Sequence, residues 1–298
     1  MWGGAYVIPY EQLEADVYYL GRKGDLSGVL AKIEGFAASA DGDDRLRAEL
    51  LRAQALHTMG RLSEAIPLYR AVLAGLPNDA RAQAICGVEL LAAANTLGDF
   101  DLAESVAQQA LALIRRHPEA SVALERIYVG YALLQQLRGD YQAAIDWYRK
   151  ALRRLEDPTD HTVTQRDRTC GVAWTWYGLT KCYIALGDLV KARFAIDGIR
   201  CDPRNRTAAA LAALAEFRFH FRLRALDLAE NWLASAAEFA QDVELGQDVL
   251  LGRAQLADAR GDSSAVRSLL EQLEASPVPL TFEVRKGIEA LGLREGVQ

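Results

Sequence analysis

Gly139-Asp140-Tyr141-Gln142-Ala143-Ala144-Ile145 reads as the turn of a helical hairpin and the first steps of its second helix. A glycine just past a helix can take the left-handed conformation that closes it. The Asp that follows can cap the next helix through its side-chain oxygen. The small residue at 144 lets two helices approach closely, where a large side chain would wedge them apart.

Outward from this stretch the same pattern returns. It is found at Gly24-Asp25-Leu26…Val29, Gly60-Arg61-Leu62…Ala65 and Gly98-Asp99-Phe100…Ala103. Two more copies are Gly187-Asp188-Leu189…Ala192 and Gly261-Asp262-Ser263…Ala265. Successive glycines lie 36, 38, 41, 48 and 74 residues apart. The last gap is twice 37, which predicts a degenerate copy midway; Arg224-Ala225-Leu226…Ala229 fills it, with Arg in place of the glycine. The flanks carry helical periodicity. Ala65, Tyr69 and Val72 are spaced four and three, as are Ala103, Ala107 and Ala110, and Ala144, Tyr148 and Ala151, so each set falls on one helix face. Pro77, Pro118, Pro158, Pro203 and Pro277 follow the second helices and stop them. Such a hairpin is apolar on both sides and buries its faces only by stacking on neighbours.

The 34-residue unit 46–79, ending Leu76-Pro77-Asn78-Asp79, resembles a tetratricopeptide repeat, as does 125–158. Trp176-Tyr177-Gly178-Leu179 is similar to the opening of a third copy. The resemblance spans about 10–275 and implies an all-α fold: a right-handed superhelical solenoid of about seven such hairpins in a single domain, 1–298. The repeats are expected near 10–43, 46–79, 84–118, 125–158, 173–204, 210–243 and 247–278. A capping helix over 279–293 completes the array, with Phe282, Ile288 and Leu291 covering the last hairpin. The acidic and threonine-rich stretch 156–169 either lengthens its flanking helices or loops out.

Hydrophobic residues make up 51% and charged residues 25% of the 298-residue chain, the balance of a folded protein with ample core material. The net charge of −6 argues against direct nucleic-acid binding, for which a basic excess is the usual footprint. No apolar run approaches the roughly 18 residues a membrane span needs, so no membrane association is expected. The N-terminus has no basic stretch followed by an apolar core, and the four cysteines, Cys86, Cys170, Cys182 and Cys201, show no paired spacing. A cytoplasmic protein with reduced thiols is the expectation.

Neither a catalytic nor a metal site is expected. Around His57, His117, His161 and His220 no neighbour at three or four residues completes a convincing set of metal ligands, and no nucleotide-binding or nucleophile-elbow signature occurs. His117 suits a helix C-terminus. No cofactor is implied.

The resemblance further implies that the first helix of each hairpin lines a concave surface that receives extended or helical peptides. Mapped onto this chain, that surface includes Asn95, Arg126, Gln136, Trp174, Tyr177, Lys181, Arg218, Phe221 and Arg222. Arg and Lys hold carboxylates through charge-assisted hydrogen bonds, Trp and Tyr anchor interfaces, and Asn95 and Gln136 can bond a peptide backbone. A protein or peptide segment with an acidic group or C-terminal carboxylate is the expected partner. The competing reading makes Trp174 and Tyr177 core packers and leaves the cations solvated or paired, with Glu216 as one partner. At the level of function, a scaffold or sensor in bacterial signalling or transcription regulation is favoured. The alternatives are a regulator that accelerates a partner's dephosphorylation, of the Rap kind, and an assembly factor.

Overall fold

A computed structural model of the chain describes residues 9–22, 25–160, 163, 165–199, 205–240, 243–276 and 278–295. Gly24, His161, Cys201, Pro203 and Pro277 lie outside the described residues. The described chain is all-helical. Its hairpins are α1 (Tyr10–Arg22) with α2 (Leu26–Ala37), α3 (Gly42–Thr58) with α4 (Leu62–Gly75), and α5 (Ala80–Leu97) with α6 (Phe100–Arg116). A short 3-10 turn, Pro118–Ala123, leads into α7 (Leu124–Leu137), which pairs with α8 (Tyr141–Leu155). Then come α9 (Gln165–Ala185) with α10 (Leu189–Gly198), α11 (Arg206–Arg222) with α12 (Leu226–Phe239), α13 (Val243–Arg260) with α14 (Ser263–Glu274), and a final α15 (Phe282–Glu295).

The recurring turn does what its chemistry demands. Gly60, Gly98, Gly139, Gly187 and Gly261 all sit at positive φ, between 72° and 86°. Asp99, Asp140, Asp188 and Asp262 each accept the N–H three residues on, at 3.0 to 3.1 Å. In the sixth hairpin Arg224 takes the same left-handed turn at φ 60°, so the backbone keeps a geometry that its side chain disfavours. The small residues Ala65, Ala103, Ala144, Ala192 and Ala229 are all fully buried. So are the predicted faces around them: Tyr69 and Val72, Ala107, and Tyr148 with Ala151.

Stacking divides the helices into two layers. The odd-numbered helices α1 to α13 touch one another in succession, each even-numbered helix packs on its own partner, and those from α2 to α12 also pack on the next odd one. Side chains of the odd helices therefore line the inner wall. The stretch 156–169 does both things the sequence allowed. Residues 165–169 form the first turn of α9, and 156–160 make a turn held by Arg168, which donates to Asp157 O (2.5 Å), Asp160 O and, just upstream, Leu155 O (2.9 Å).

One expectation for the cap is corrected. Leu291 and Ile288 do cover the last hairpin, in an apolar cluster with Val284, Leu251, Ala254 and Leu273. Phe282 does not join them. It lies two residues before Val284, about 200° around the helix, so it faces the other way. There it meets Phe100 of the third hairpin edge-on, ring centroids 4.9 Å apart. α15 thus packs on α13 and, across the hollow, on α5.

Candidate binding site

Trp174, Tyr177 and Lys181 follow one another at spacings of three and four on α9, and on the neighbouring α11 Phe221 and Arg222 stand three and four residues after Arg218. Each set therefore projects toward the inner wall. Tyr177 is the pivot between them. It is buried to 1% exposure, its hydroxyl accepts from Arg218 Nε at 2.9 Å, and it donates to Asp248 Oδ2 of α13 at 3.3 Å. Arg218 also reaches Asp248 Oδ2 (3.6 Å) and Glu283 Oε1 (3.4 Å), while Lys181 Nζ bonds Glu283 Oε2 at 2.7 Å. Two cations from inner helices thus face two carboxylates, one of which the C-terminal helix supplies.

The two carboxylates respond oppositely to that setting. Burial alone would raise the Glu283 pKa, but the Lys181 ammonium and the Arg218 guanidinium outweigh it and hold the carboxyl at about 2. Burial dominates at Asp248 and raises its pKa, against the pull of Arg218 and with help from the negative Glu283. Burial also lifts the Tyr177 hydroxyl well above the ordinary phenol range, so it stays a proton donor.

Two hollows flank the N-terminal turn of α15. The smaller, about 110 Å³, is bounded by Asn95, Val129, Leu133, Trp174, Tyr177 and Lys181, with Phe282 and Glu283 as one wall. The larger, about 520 Å³, is bounded by Gln136, Lys181, Arg218, Phe221, Arg222 and Arg224, again with Phe282 and Glu283. All but one of the residues singled out in the sequence border one hollow or the other. The exception is Arg126, which bonds Glu89 Oε1 at 2.7 Å beside His57, whose Nδ1 stands 3.4 Å from Glu89 Oε2.

The side chains of the set differ in role. Tyr177 belongs to the core as well as to the wall, as the competing sequence reading held. Trp174 is half-buried and meets Tyr177 edge-on. Gln136 is spent inside the protein, its Oε1 accepting from the Tyr148 hydroxyl at 3.2 Å. Asn95 is buried to 1%; its Nδ2 donates to Gly130 O at 2.8 Å, while its enclosed Oδ1 accepts nothing among the described residues. Lys181 and Arg218 are neither solvated nor paired with Glu216, which instead accepts both terminal nitrogens of Arg193 at 2.8 Å. Arg222 and Arg224 are exposed and form no ion pair among the described residues. Sequence reasoning missed Glu283, whose approach to the inner wall no local pattern announces, Phe282, which it gave to the cap, and Arg224. The third did leave a signal, since an Arg standing where six repeats keep glycine asks for a reason.

Among the described residues no helix is long and apolar enough to cross a membrane, and no cluster of His, Cys, Asp and Glu is arranged to hold a metal. His117, at the end of α6, turns its Nδ1 to Glu119 at 3.1 Å.

Residues 89–157 match the tetratricopeptide repeat family. The helical hairpins on either side of that match continue it as a tetratricopeptide-like array. No curated protein matches the chain's sequence. Among solved structures it is similar to NprR in complex with its cognate peptide NprX, at 17% identity and a TM-score of 0.71 over 97% of this chain and 82% of that one. It is similar to the Rap conjugation gene regulator of plasmid pLS20 in complex with the Phr* peptide, at 14% identity and a TM-score of 0.66 over 97% and 76%. A tetratricopeptide repeat protein from Parabacteroides merdae matches at 15% identity and a TM-score of 0.57 over 95% and 98%. At such identities these likenesses speak to the shared repeat array.

Proposed function

We propose that this tetratricopeptide repeat array is a non-enzymatic module that holds a peptide, or a segment of a partner protein, in its concave hollow and serves as a scaffold or sensor in signalling or transcription regulation. The observation that carries the reading is the larger hollow. In a chain of net charge −6 it gathers Lys181, Arg218, Arg222 and Arg224 beside Phe221 and Phe282. An apolar floor bordered by five cations, with Lys286 the fifth, against the two carboxylates Asp258 and Glu283 suits a short acidic segment or a free C-terminal carboxylate. The unmatched Asn95 Oδ1 in the adjoining hollow supports the same reading, because an enclosed acceptor without a donor is costly and a guest backbone N–H would satisfy it. The two peptide complexes among the similar structures fit this reading. The strained Arg224 fits it too: left-handed backbone at a residue other than glycine costs about 1 kcal/mol or more and tends to persist where a site uses it.

Screening the full chain against an array of random ten-residue peptides tests this. Peptides rich in Asp or Glu, or ending in a free carboxylate, should be retained. An Arg222→Glu/Arg224→Glu variant should bind them at least tenfold more weakly with its thermal midpoint little changed. Preferential retention of basic peptides, or equal binding by the variant, would remove this hollow as the site.

A further inference from the structure

The seat formed by Lys181 and Arg218 already holds a guest, and the guest is part of the chain. Glu283 places one carboxylate oxygen 2.7 Å from Lys181 Nζ and the other 3.4 Å from Arg218. The neighbouring Phe282 lies against Phe100 and so close over Gly98 that a Cβ there would stand 2.4 Å from its ring. Arg285 then donates to the Leu97 carbonyl at 2.8 Å, a bond across the hollow to the end of α5. Upstream, Val278 approaches Gly60 in the second hairpin so closely that a Cβ would meet its Cγ1 at 2.5 Å.

These contacts are more than capping needs. The side of α15 that carries Val284, Ile288 and Leu291 covers the last hairpin by itself. Gln247, buried to 3%, holds the incoming strand separately: its Nε2 donates to Pro279 O and its Oε1 accepts from Thr281 N. The Phe282–Glu283 step faces elsewhere and uses the chemistry expected of an external ligand. Its aromatic ring fills an apolar notch, and its carboxylate is shared by two cations.

We propose that Phe282–Glu283 is an internal ligand of the Lys181/Arg218 seat, and that the external guest carries the same pair, a large apolar side chain next to a carboxylate, and binds by displacing it. This rests on the reading of the hollow as a peptide site. It narrows the partner to a class: segments with an aromatic or large aliphatic residue beside Asp, Glu or a terminal carboxylate. It also makes occupancy competitive, since Glu283 stands in the place between Lys181 and Arg218 that the guest's carboxylate would take.

The probe is a fluorescein-labelled synthetic peptide with the sequence of residues 279–289, titrated by anisotropy into the full chain. A Phe282→Ala/Glu283→Ala variant, its internal ligand removed, should bind it at least tenfold more tightly than the unaltered chain does. The same peptide with Gln in place of Glu283 should bind that variant at least tenfold more weakly. Equal affinity of variant and unaltered chain, or no binding to a variant with unchanged circular dichroism, overturns the proposal. The near-isosteric Glu283→Gln variant gives a second readout that needs no added peptide. Amides of 282–288 should exchange at least tenfold faster than in the unaltered chain while those of α13 keep their rates; unchanged exchange overturns it as well. Acidic peptides retained by the unaltered chain with 282–288 still fully protected would leave the peptide-site reading standing and sink displacement alone. Failure to retain any acidic peptide would sink the site itself.

Discussion

Two charged clusters line the inner wall, and they are built differently. Near the third hairpin, Glu89 receives Arg126 at 2.7 Å and His57 at 3.4 Å, all from neighbouring hairpins. Near the fifth and sixth, Lys181 and Arg218 are matched by Glu283, which stands 102 residues beyond Lys181 in the chain. In the first cluster each repeat completes the one beside it, the nearest-neighbour arrangement that makes repeat arrays quasi-one-dimensional. In the second, the end of the chain returns to the middle and closes the hollow. Local pairs make the stack; the distant pair decides whether its interior is open.

The contrast can be broken most forcefully at Arg218. Arg218→Met would leave Asp248 and Glu283 facing each other with Lys181 as their remaining cation, and Tyr177 without the donor that fixes its hydroxyl. Removing one partner of a mostly buried charge network costs about 3 kcal/mol. Arg126→Met removes a side chain that is 44% exposed and leaves the more enclosed Glu89 with His57 and Gln54 beside it, so its cost should be smaller, about 1 kcal/mol. Urea unfolding should therefore place the Arg218 variant well below the Arg126 variant. Equal midpoints would mean that the closing contact carries no more weight than a rim pair.

Acid should separate the clusters in pH. Burial, aided by Arg126 and opposed by Glu89, lowers the His57 pKa below its ordinary value of 6.5. The unfolded chain therefore binds the proton first, and the stability tied to neutral His57 is complete above pH 6.5 and declines as pH falls below it. The Glu283 pKa is lowered from 4.5 to about 2, so its contribution is complete above pH 4.5 and is lost between there and about pH 2. Unfolding midpoints recorded from pH 7.5 to 3 should show both declines. His57→Gln should flatten the first and Glu283→Gln the second; a slope that survives its own substitution assigns it to another group.

How far the sequence carries follows the same division. Contacts one repeat apart were within reach of a periodic reading. Asn95 to Gly130 and Gln54 to Glu89 span 35 residues, and Arg138 to Glu104 spans 34, so register alone brings them together. The left-handed glycines and the Asp caps are local chemistry and could be read directly. The partner of Lys181 could not, because a span of 102 residues depends on how much each hairpin rotates on the last, and small rotations accumulate along a stack. Phe282 was misplaced for a simpler reason: grouping it with Ile288 and Leu291 ignored the helical angle that turns it to the opposite side.

The smallest expected effect is also the most diagnostic, because it sets stability against binding at one residue. In the sixth hairpin the turn keeps the left-handed form of its siblings, yet Arg224 holds it at φ 60° where the others use glycine. Restoring the consensus with Arg224→Gly removes the clash between Cβ and backbone, and should stabilise the fold by about 1 kcal/mol, read as a higher urea midpoint. The same change takes a cation from the rim of the larger hollow. If Arg224 is retained for that charge, the stabilised variant should bind acidic peptides more weakly, and Arg224→Lys, which keeps the charge and the strain, should bind them nearly as well as the unaltered chain. A glycine variant that gains stability and loses no affinity would show that the turn tolerates arginine for no purpose that the hollow supplies.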